Sequence, residues 1–368
     1  MSLLRTIGTM SGTSMDGIDV AFVETDGQTR IERGATGFMA YRDDDRAVLR
    51  AALATAAGLN SRDARPAVVA EAERMVTARH AEAVDVFLRE NAIDRANVDL
   101  LGFHGQTILH RPADRLTIQI GDGPSLADSL GIRVAYDFRA QDVAEGGQGA
   151  PIVPAFHRAL VAASNLTGPV VLVNVGGVAN ITWIDGDSDP VACDTGPGNA
   201  LLDDLMLART GRPIDRHGHA AARGRVNAAA LQDLLTHPFF ALPPPKSLDR
   251  NAFSARAVLD LETEDAAATL TAFTAASIAG ALSGLPTAPK TLIVCGGGAR
   301  NPILVRELVE RAPCRVTTAD AVGWSSDAME AQAFGYLAAR TLRGLPLTFP
   351  TTTGVAVPMA GGRIVHPA

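Results

Sequence analysis

Short apolar runs alternate with longer segments of helical periodicity along the chain, a pattern typical of α/β proteins. The short runs predict strands over residues 3–10, 19–24, 99–103, 116–120, 170–175, 180–184 and 291–295. The longer segments predict helices over residues 43–57, 67–91, 154–163, 200–210, 225–236, 266–285, 302–311 and 326–343. The Pro-rich residues 242–245 lack backbone donors and helical freedom, so we predict a rigid connector there.

An approximate internal repeat indicates two halves. Residues 6–23 read as a strand, a Gly/Ser/Thr turn and a second strand, and residues 170–184 read the same way. Two unrelated glycine-bearing hairpins are the alternative. If the halves are duplicated α/β lobes, we expect the two hairpin tips to face each other across a cleft. The predicted lobes are residues 1–150 and 151–368, with the last residues able to return to the first lobe.

Composition narrows the class of protein. The chain has 368 residues, 47% hydrophobic and 20% charged, which indicates globular domains. Its net charge of -7 and the absence of a basic run argue against a nucleic-acid partner. Three widely spaced cysteines and no apolar leader predict a cytoplasmic protein. Residues 266–289 carry no charge, but their Thr, Ser and Gly content predicts a buried helix and not a membrane span.

Two glycine-rich turns could hold a nucleotide. The turn at residues 12–17 offers close backbone N–H groups and two hydroxyls, which suits a phosphate. It matches neither the P-loop nor the dinucleotide-binding pattern. Residues 293–302 form an apolar strand, three glycines and a helix start, so they predict a flat floor for a purine or ribose. A tight strand-to-helix connection is the alternative for this second turn.

Asp194 is the candidate catalytic base. It opens the string DTGPGN, predicted to be a loop after a strand, where a carboxylate could take a proton from water or a hydroxyl. Alternatively the loop is structural, with Asn199 as the N-cap of the next helix. His104 and Gln106 in GFHGQT, and the glycine-rich residues 145–151, are further polar loop positions without an assigned role. The scattered histidines do not have zinc-ligand spacing.

Taken together, these motifs resemble the anhydro-N-acetylmuramic acid kinase family over essentially the whole chain. The matching strings are GTMSGTSMDGIDVAF, GFHGQTILHRP, IQIGDGPSLA, VAYDFRAQDVAEGGQGAPIVPAFH, VNVGGVANIT, DTGPGN, VCGGGARNP and DAMEAQAFGYLAAR. The resemblance implies an α/β fold of two duplicated actin-like (ribonuclease H-like) lobes with an interlobe cleft. It also implies a homodimer.

The resemblance implies a reaction as well. Water opens the 1,6-anhydro bond of 1,6-anhydro-N-acetylmuramic acid while the γ-phosphoryl of ATP passes to O6, with Mg²⁺ present. The product is N-acetylmuramic acid 6-phosphate, formed in peptidoglycan recycling. On this chain Asp194 would be the base, and Arg139, Asp194 and Glu330 would contact the sugar. The positions implied to bind ATP are Gly12, Thr13, Ser14, Met15, Asp16, Gly17, Ile18, Asp19, Gly176, Gly177, Asn180, Gly296, Gly297, Gly298 and Asn301.

Some points stay open at the level of sequence. The family shows a Lys-Ser-Thr-Gly-Arg-Glu type string where this chain has KSLDRN at residues 246–251, and Met10 stands where related kinases carry an Asp. Asp16, Asp19 and Asp194 are candidate Mg²⁺ ligands, directly or through water. A kinase for another anhydrosugar such as levoglucosan, and a non-catalytic ATP-binding regulator, are the alternative functions.

Overall fold

A computed structural model describes residues 2–12, 14–248 and 252–368. The chain divides into two compact units. Unit 1 comprises residues 2–164 together with Glu330–Ala368, and unit 2 comprises Asn165–Met329. Both units combine sheets with helices.

The strands of both units are β1 (Leu4–Met10), β2 (Gly17–Thr25), β3 (Ile31–Ala40), β4 (Leu100–Phe103), β5 (Gln106–Arg111), β6 (Leu116–Ile120), β7 (Val134–Tyr136), β8 (Val170–Val175), β9 (Val178–Ile184), β10 (Val191–Pro197), β11 (Thr291–Cys295), β12 (Arg315–Thr318) and β13 (Arg363–Val365). The helices are α1 (Asp43–Ala56), α2 (Ala67–Glu90), α3 (Gly123–Leu130), α4 (Ala140–Ala144), α5 (Pro154–Ala162), α6 (Ala200–Thr210), α7 (Ala228–Leu234), α8 (Thr263–Ala281), α9 (Pro302–Arg311), α10 (Met329–Leu342) and α11 (Pro350–Thr353). Short 3-10 turns connect several of them.

The two units repeat one sheet topology. In unit 1 the strand order is β13-β7-β4-β1-β2-β3, and in unit 2 it is β10-β9-β8-β11-β12. Each unit begins with an antiparallel β-meander, β1–β3 in unit 1 and β8–β10 in unit 2. The first strand of the meander also pairs in parallel with a later strand, β1 with β4 and β8 with β11. That later strand pairs in parallel with one more, β4 with β7 and β11 with β12. This shared order confirms the predicted duplication of one α/β topology.

Periodicity located the central strands best. The observed bounds of β8 and β11, neighbours inside the five-stranded sheet, equal the predicted ones, because both runs are mostly apolar and largely buried. The bounds of β6, in a separate two-stranded sheet, also equal the predicted ones. The edge strands β3 and β12 and the short β7 were not predicted, since their residues are mixed in exposure or few. The Pro-rich connector at residues 242–245 forms no helix or strand, as predicted.

Helix α8 is a core helix of unit 2. Its first half packs with α6 and α7 around Leu270 and Phe273, and its second half contributes Ala275 and Ile278 to the cluster under the sheet. It is long and apolar enough to cross a bilayer, yet most of that stretch is buried inside the protein. This burial explains the run of uncharged residues without a membrane.

Helix α10 lies directly on the sheet of unit 1. Gly8 in β1 and Gly102 in β4 are register partners. A Cβ atom at Gly8 would lie 1.9 Å from the carbonyl oxygen of Ala331, and one at Gly102 would lie 2.1 Å from that of Phe334. Only glycine permits so close an approach of two backbones.

We expect Gly102→Ala to lower the free energy of unfolding by at least about 2 kcal/mol, because the added methyl group must push α10 away from β4. Urea unfolding followed by circular dichroism measures the change. Gly58→Ala is the matched control in the same unit, since a Cβ there would meet its nearest neighbour at 3.9 Å. It should stay within about 0.5 kcal/mol of wild type. Equal effects of both variants would contradict the close-packing argument.

Candidate active site

The turn between β1 and β2 is held by its own polar groups. Asp16 Oδ1 accepts hydrogen bonds from the Ser14 hydroxyl at 2.8 Å and from the Gly17 N–H at 3.0 Å. The Asp16 carbonyl accepts a hydrogen bond from the Tyr41 N–H at 2.9 Å. Asp19 lies within β2, opposite Met10. The turn is therefore a formed structure in which one carboxylate is already engaged.

Gly12, Met15 and Ile18, three more of the residues implied to bind ATP, differ in their burial and hydrogen bonding. The Gly12 carbonyl accepts a hydrogen bond from the Met15 N–H at 3.2 Å, and Met15 has a left-handed φ of 53°. Ile18 is fully buried in the core of unit 1, so its side chain does not face a ligand. Thr13 lies outside the described residues.

The second hairpin, between β8 and β9, is tied to the start of α6. The Gly176 carbonyl accepts a hydrogen bond from the Asn199 N–H at 2.8 Å, and the Gly177 carbonyl accepts one from the Gly198 N–H at 2.9 Å. A Cβ atom at Gly198 would lie 2.2 Å from the Gly176 oxygen. Asn180 in β9 pairs with Asn174 in the β8–β9 register. The carbonyls of this tip are thus directed towards the helix.

The glycine motif after β11 lies beside this second hairpin. Gly296 has a φ of 74°, and a Cβ atom there would lie 2.2 Å from Asn174 Oδ1. A Cβ atom at Gly297 would lie 3.7 Å from Asn199 Nδ2. The structure therefore brings Gly176 and the predicted nucleoside-binding glycines of unit 2 together.

Two asparagines are the N-cap residues of helices in unit 2. Asn199 is the N-cap residue of α6, as predicted, but its side chain makes no capping hydrogen bond. Its Nδ2 group instead donates to the Val175 carbonyl at 3.1 Å, because its backbone is already helical. Asn301, implied to bind ATP, caps α9: its Oδ1 accepts from the N–H groups of Ile303 at 3.0 Å and Leu304 at 3.2 Å.

Asp194 lies in a strand and not in the predicted loop. It belongs to β10 and pairs with Asn180 of β9, and the register shifts between Asp194 and Gly196. Gly196 has a φ of 149°, which glycine adopts readily. A bulge therefore accommodates the DTGPGN string in the sheet and sets Asp194 at its irregular edge.

The segment before residue 249 covers Asp194. The Asp194 N–H donates to the Lys246 carbonyl at 2.9 Å, and Asp194 Oδ2 accepts from the Leu248 N–H at 2.7 Å. Burial raises the pKa of Asp194 to about 7, although the Leu248 hydrogen bond opposes the rise. The Lys246 ammonium donates to the Phe239 carbonyl at 3.0 Å and lies 4.5 Å from the centroid of its ring. Asp194 is thus a carboxylate that can exchange a proton near neutral pH.

Arg139 and Glu330 interact within unit 1. Arg139 is the residue before α4, and Glu330 lies in the first turn of α10. Burial raises the pKa of Glu330 and lowers that of Arg139, while the attraction between their charges opposes both changes. Both side chains are partly buried, so they remain accessible to a ligand. The structure therefore brings the two implied sugar contacts together.

Two polar groups that support these residues were not predicted from the sequence. Asp142 is buried, and its Oδ1 accepts from the Gly149 N–H at 2.6 Å while its Oδ2 accepts from the Thr353 hydroxyl at 2.7 Å. The Gly149 carbonyl accepts from Arg139 at 2.8 Å. The acid in QDVAEGGQG was the available signal, since a carboxylate before a glycine-rich loop can hold its N–H groups. No sequence signal identifies the Leu248 N–H as a partner of Asp194, because every residue except proline carries a backbone N–H.

No group of three or more His, Cys, Asp or Glu side chains converges as a metal site in the described ranges, residues 2–12, 14–248 and 252–368. Asp16, Asp19 and Asp194 remain the candidate carboxylates.

We expect the pH dependence of stability to report the partly buried Asp194. Between about pH 4 and 7 the folded protein keeps a proton on Asp194 that the unfolded chain has released. Raising the pH through this window therefore lowers the free energy of unfolding, by up to about 1.4 kcal/mol per pH unit. Asp194→Asn lacks this contribution. The Tm of Asp194→Asn minus the Tm of wild type should therefore increase as the pH is raised from 5 to 8. The exposed Asp187→Asn is the control. Parallel Tm profiles of wild type and Asp194→Asn would contradict the assignment.

Comparison with known proteins identifies the family. Among solved structures, the fold is similar to the activator of the 2-hydroxyisocaproyl-CoA dehydratase from Clostridium difficile, with a TM-score of 0.48 and 10% identity over 92% of this chain and 96% of that one. The anhydro-N-acetylmuramic acid kinase family model matches residues 4–367. Proteins of that name from Nitrobacter winogradskyi and Rhodopseudomonas palustris are 58% and 57% identical, each over 99% of this chain and 100% of the relative. The chain therefore belongs to the anhydro-N-acetylmuramic acid kinase family.

Proposed function

We propose that this protein uses ATP and water to convert 1,6-anhydro-N-acetylmuramic acid into N-acetylmuramic acid 6-phosphate and ADP, in peptidoglycan recycling. The observation that carries the proposal is Asp194, a carboxylate on a bulged strand whose pKa burial raises to about 7. Family membership supplies the reaction class. A carboxylate with this basicity suits the one proton transfer that the reaction requires.

Asp194 accepts a proton from the attacking water in this proposal. Water has a pKa of about 15.7, so the carboxylate cannot deprotonate it beforehand and takes the proton as the oxygen bonds to C1. The C1–O6 bond breaks, and O6 gains the negative charge. O6 then bonds to the γ-phosphorus of ATP while the bond to the β-phosphate oxygen breaks and ADP leaves. The sugar thus gains a hydroxyl at C1 and a phosphoryl group at O6.

The glycine-rich turns are the proposed ATP contacts. Backbone N–H groups of the β1–β2 turn would receive phosphate oxygens, and Gly176, Gly177 and Gly296–Gly298 would receive the rest of the nucleotide. Support comes from the close packing at Gly296 and Gly298, where a Cβ atom would lie 2.2 Å and 2.5 Å from its nearest neighbour, so that only glycine fits. Mg²⁺ held by ATP and by Asp16, Asp19 or Asp194 would neutralise phosphate charge.

Arg139 and Glu330 are the proposed sugar contacts. The substrate is a carboxylic acid, and the protein carries a net charge of -7, so a local cation is needed to bind it. Arg139 supplies that charge, and Glu330 can accept hydrogen bonds from sugar hydroxyls. Their mutual attraction opposes the effect of burial on the pKa of each group.

Two further properties belong to the proposal. We propose that the protein acts in the cytoplasm and as a homodimer. The wide spacing of its three cysteines supports a reducing compartment. Its resemblance to the family supports the dimer.

Incubation with ATP, Mg²⁺ and 1,6-anhydro-N-acetylmuramic acid in ¹⁸O-water tests the reaction. We expect a phosphorylated sugar with one ¹⁸O at C1, located by mass spectrometry, because ring opening consumes water. A phosphorylated product without ¹⁸O would contradict coupled hydrolysis. Unchanged sugar together with conversion of levoglucosan would favour the other anhydrosugar kinase. Rapid ATP hydrolysis that no anhydrosugar alters would favour the regulator.

Removal of the base tests the role of Asp194. We expect Asp194→Asn to lower kcat by about 10² or more, because general-base catalysis contributes about that factor. The Kd for ATP should change little. The exposed Asp187→Asn in the same unit is the matched control and should retain wild-type kcat. Wild-type turnover in Asp194→Asn would remove the assignment.

The pH profile tests the same residue independently. The carboxylate must be ionised to accept a proton, so kcat/KM for the sugar should fall about tenfold per pH unit below about pH 7. The residual activity of Asp194→Asn should lack this limb. A profile that stays flat down to pH 5 in wild type would contradict it.

A further inference from the structure

The connection after β4 and the first residue of β5 carry two buried polar side chains that have no role in the reaction as proposed. His104 and Gln106 flank Gly105 in the string GFHGQT and are 4% and 1% exposed. Burying polar groups is unfavourable unless each finds a partner. Their partners therefore indicate what the connection does.

Gln106 clamps the start of the β1–β2 turn. Its Oε1 accepts a hydrogen bond from the Ser11 hydroxyl at 2.5 Å, and its Nε2 donates to the Gly12 carbonyl at 3.1 Å. The reverse orientation of the amide would set two acceptors, Oε1 and the Gly12 oxygen, against each other, so the assignment follows from the partners. One side chain thus fixes two successive residues of the turn.

Tyr41 extends the clamp. The Tyr41 hydroxyl lies 3.0 Å from Ser11 Oγ. Since the single hydroxyl hydrogen of Ser11 goes to Gln106, Tyr41 must donate to Ser11. The Tyr41 N–H also holds the Asp16 carbonyl at the far side of the same turn. The hydrogen-bond network of Tyr41, Ser11 and Gln106 therefore holds the backbone of the turn in place.

His104 forms a hydrogen bond with the side chain of Arg139, as Gln106 does with the turn. His104 Nε2 lies 3.3 Å from an Arg139 terminal nitrogen, and His104 Nδ1 lies 2.9 Å from the Gly105 carbonyl. Arg139 can only donate, so Nε2 accepts and Nδ1 carries the hydrogen, which it donates to Gly105. Burial and the nearby Arg139 charge lower the pKa of His104 to about 3, so the ring stays neutral and able to accept.

The imidazole also contacts the helix that bears Glu330. The His104 and Phe334 rings are 4.6 Å apart between centroids. Phe334 follows Glu330 by one helical turn on α10, so the two share a face of that helix. His104 thus contacts Arg139 directly and also contacts the helix that carries Glu330.

We propose that His104 and Gln106 are positioning residues for the two substrates, with His104 orienting Arg139 towards the anhydrosugar and Gln106 holding Ser11 and Gly12 for the ATP phosphates. This inference rests on the proposed function. It makes one short connection responsible for two separate binding contacts. A merely structural connection would instead affect both substrates alike.

Kinetics of two substitutions separate these possibilities. His104→Leu should raise KM for 1,6-anhydro-N-acetylmuramic acid about tenfold and leave KM for ATP within about twofold, as expected for one charge-assisted hydrogen bond. Gln106→Met should do the reverse, and calorimetry should show a similar loss of affinity for a non-hydrolysable ATP analogue with Mg²⁺. The exposed His366→Leu in the same unit is the control.

A conservative variant and a double-mutant cycle guard against loss of folding. His104→Gln keeps an oxygen that can accept from Arg139, so its sugar KM should lie within about threefold of wild type. If His104 acts through Arg139, His104→Leu should add little to the loss caused by Arg139→Ala. Additive losses would overturn the role of His104.

The remaining outcomes are also decisive. Equal rises of both KM values with a lowered Tm, or no change in either, would overturn the positioning proposal while an active wild type leaves the proposed function standing. A wild-type protein that phosphorylates no anhydrosugar would overturn the proposed function and the role of His104. Binding of the ATP analogue by Gln106→Met would still decide the role of Gln106.

Discussion

The contact between α10 and the sheet of unit 1 is the constraint on which that unit depends. At Gly8 and Gly102 the helix backbone touches the strand backbone, with no space for a side chain between them. Gly335 completes the contact from the helix side, since a Cβ atom there would lie 3.0 Å from Thr6 Oγ1. Because interiors are close-packed, a small displacement of α10 would move every group it carries. Glu330 and Phe334 take their positions from this contact.

The same two strands carry the proposed ligand contacts at their ends. β1 leads into the turn at residues 11–16, and β4 leads into His104 and Gln106. Loops at the carboxyl ends of parallel strands are where α/β proteins place ligands. In unit 2 the equivalent strands β8 and β11 lead into Gly176 and Gly296. Duplication of one topology therefore gives each unit a glycine-rich turn at the same structural position.

The sequence predicted the parts of the molecule that rest on local pattern. Buried central strands such as β8 and β11 are continuous apolar runs, and the glycine turns are visible as composition. β10 was missed because Asp194, Gly196 and Pro197 resemble a loop, and only the pairing with β9 shows that they form a bulged strand. The contact of His104 with Arg139 joins distant residues, so the position of each was visible but their interaction was not.

The two charged centres show opposite solutions to burial. The attraction between Arg139 and Glu330 opposes the effect of burial on the pKa of each group. Asp194 receives the Leu248 N–H but its pKa is not lowered by a neighbouring cation, since the Lys246 ammonium is directed to the Phe239 carbonyl and ring. A cation beside Asp194 would stabilise its charge and weaken it as a base. The segment before residue 249 therefore contributes to the burial that raises the pKa of Asp194, while the Lys246 ammonium is engaged elsewhere, and this combination suits a general base near neutral pH.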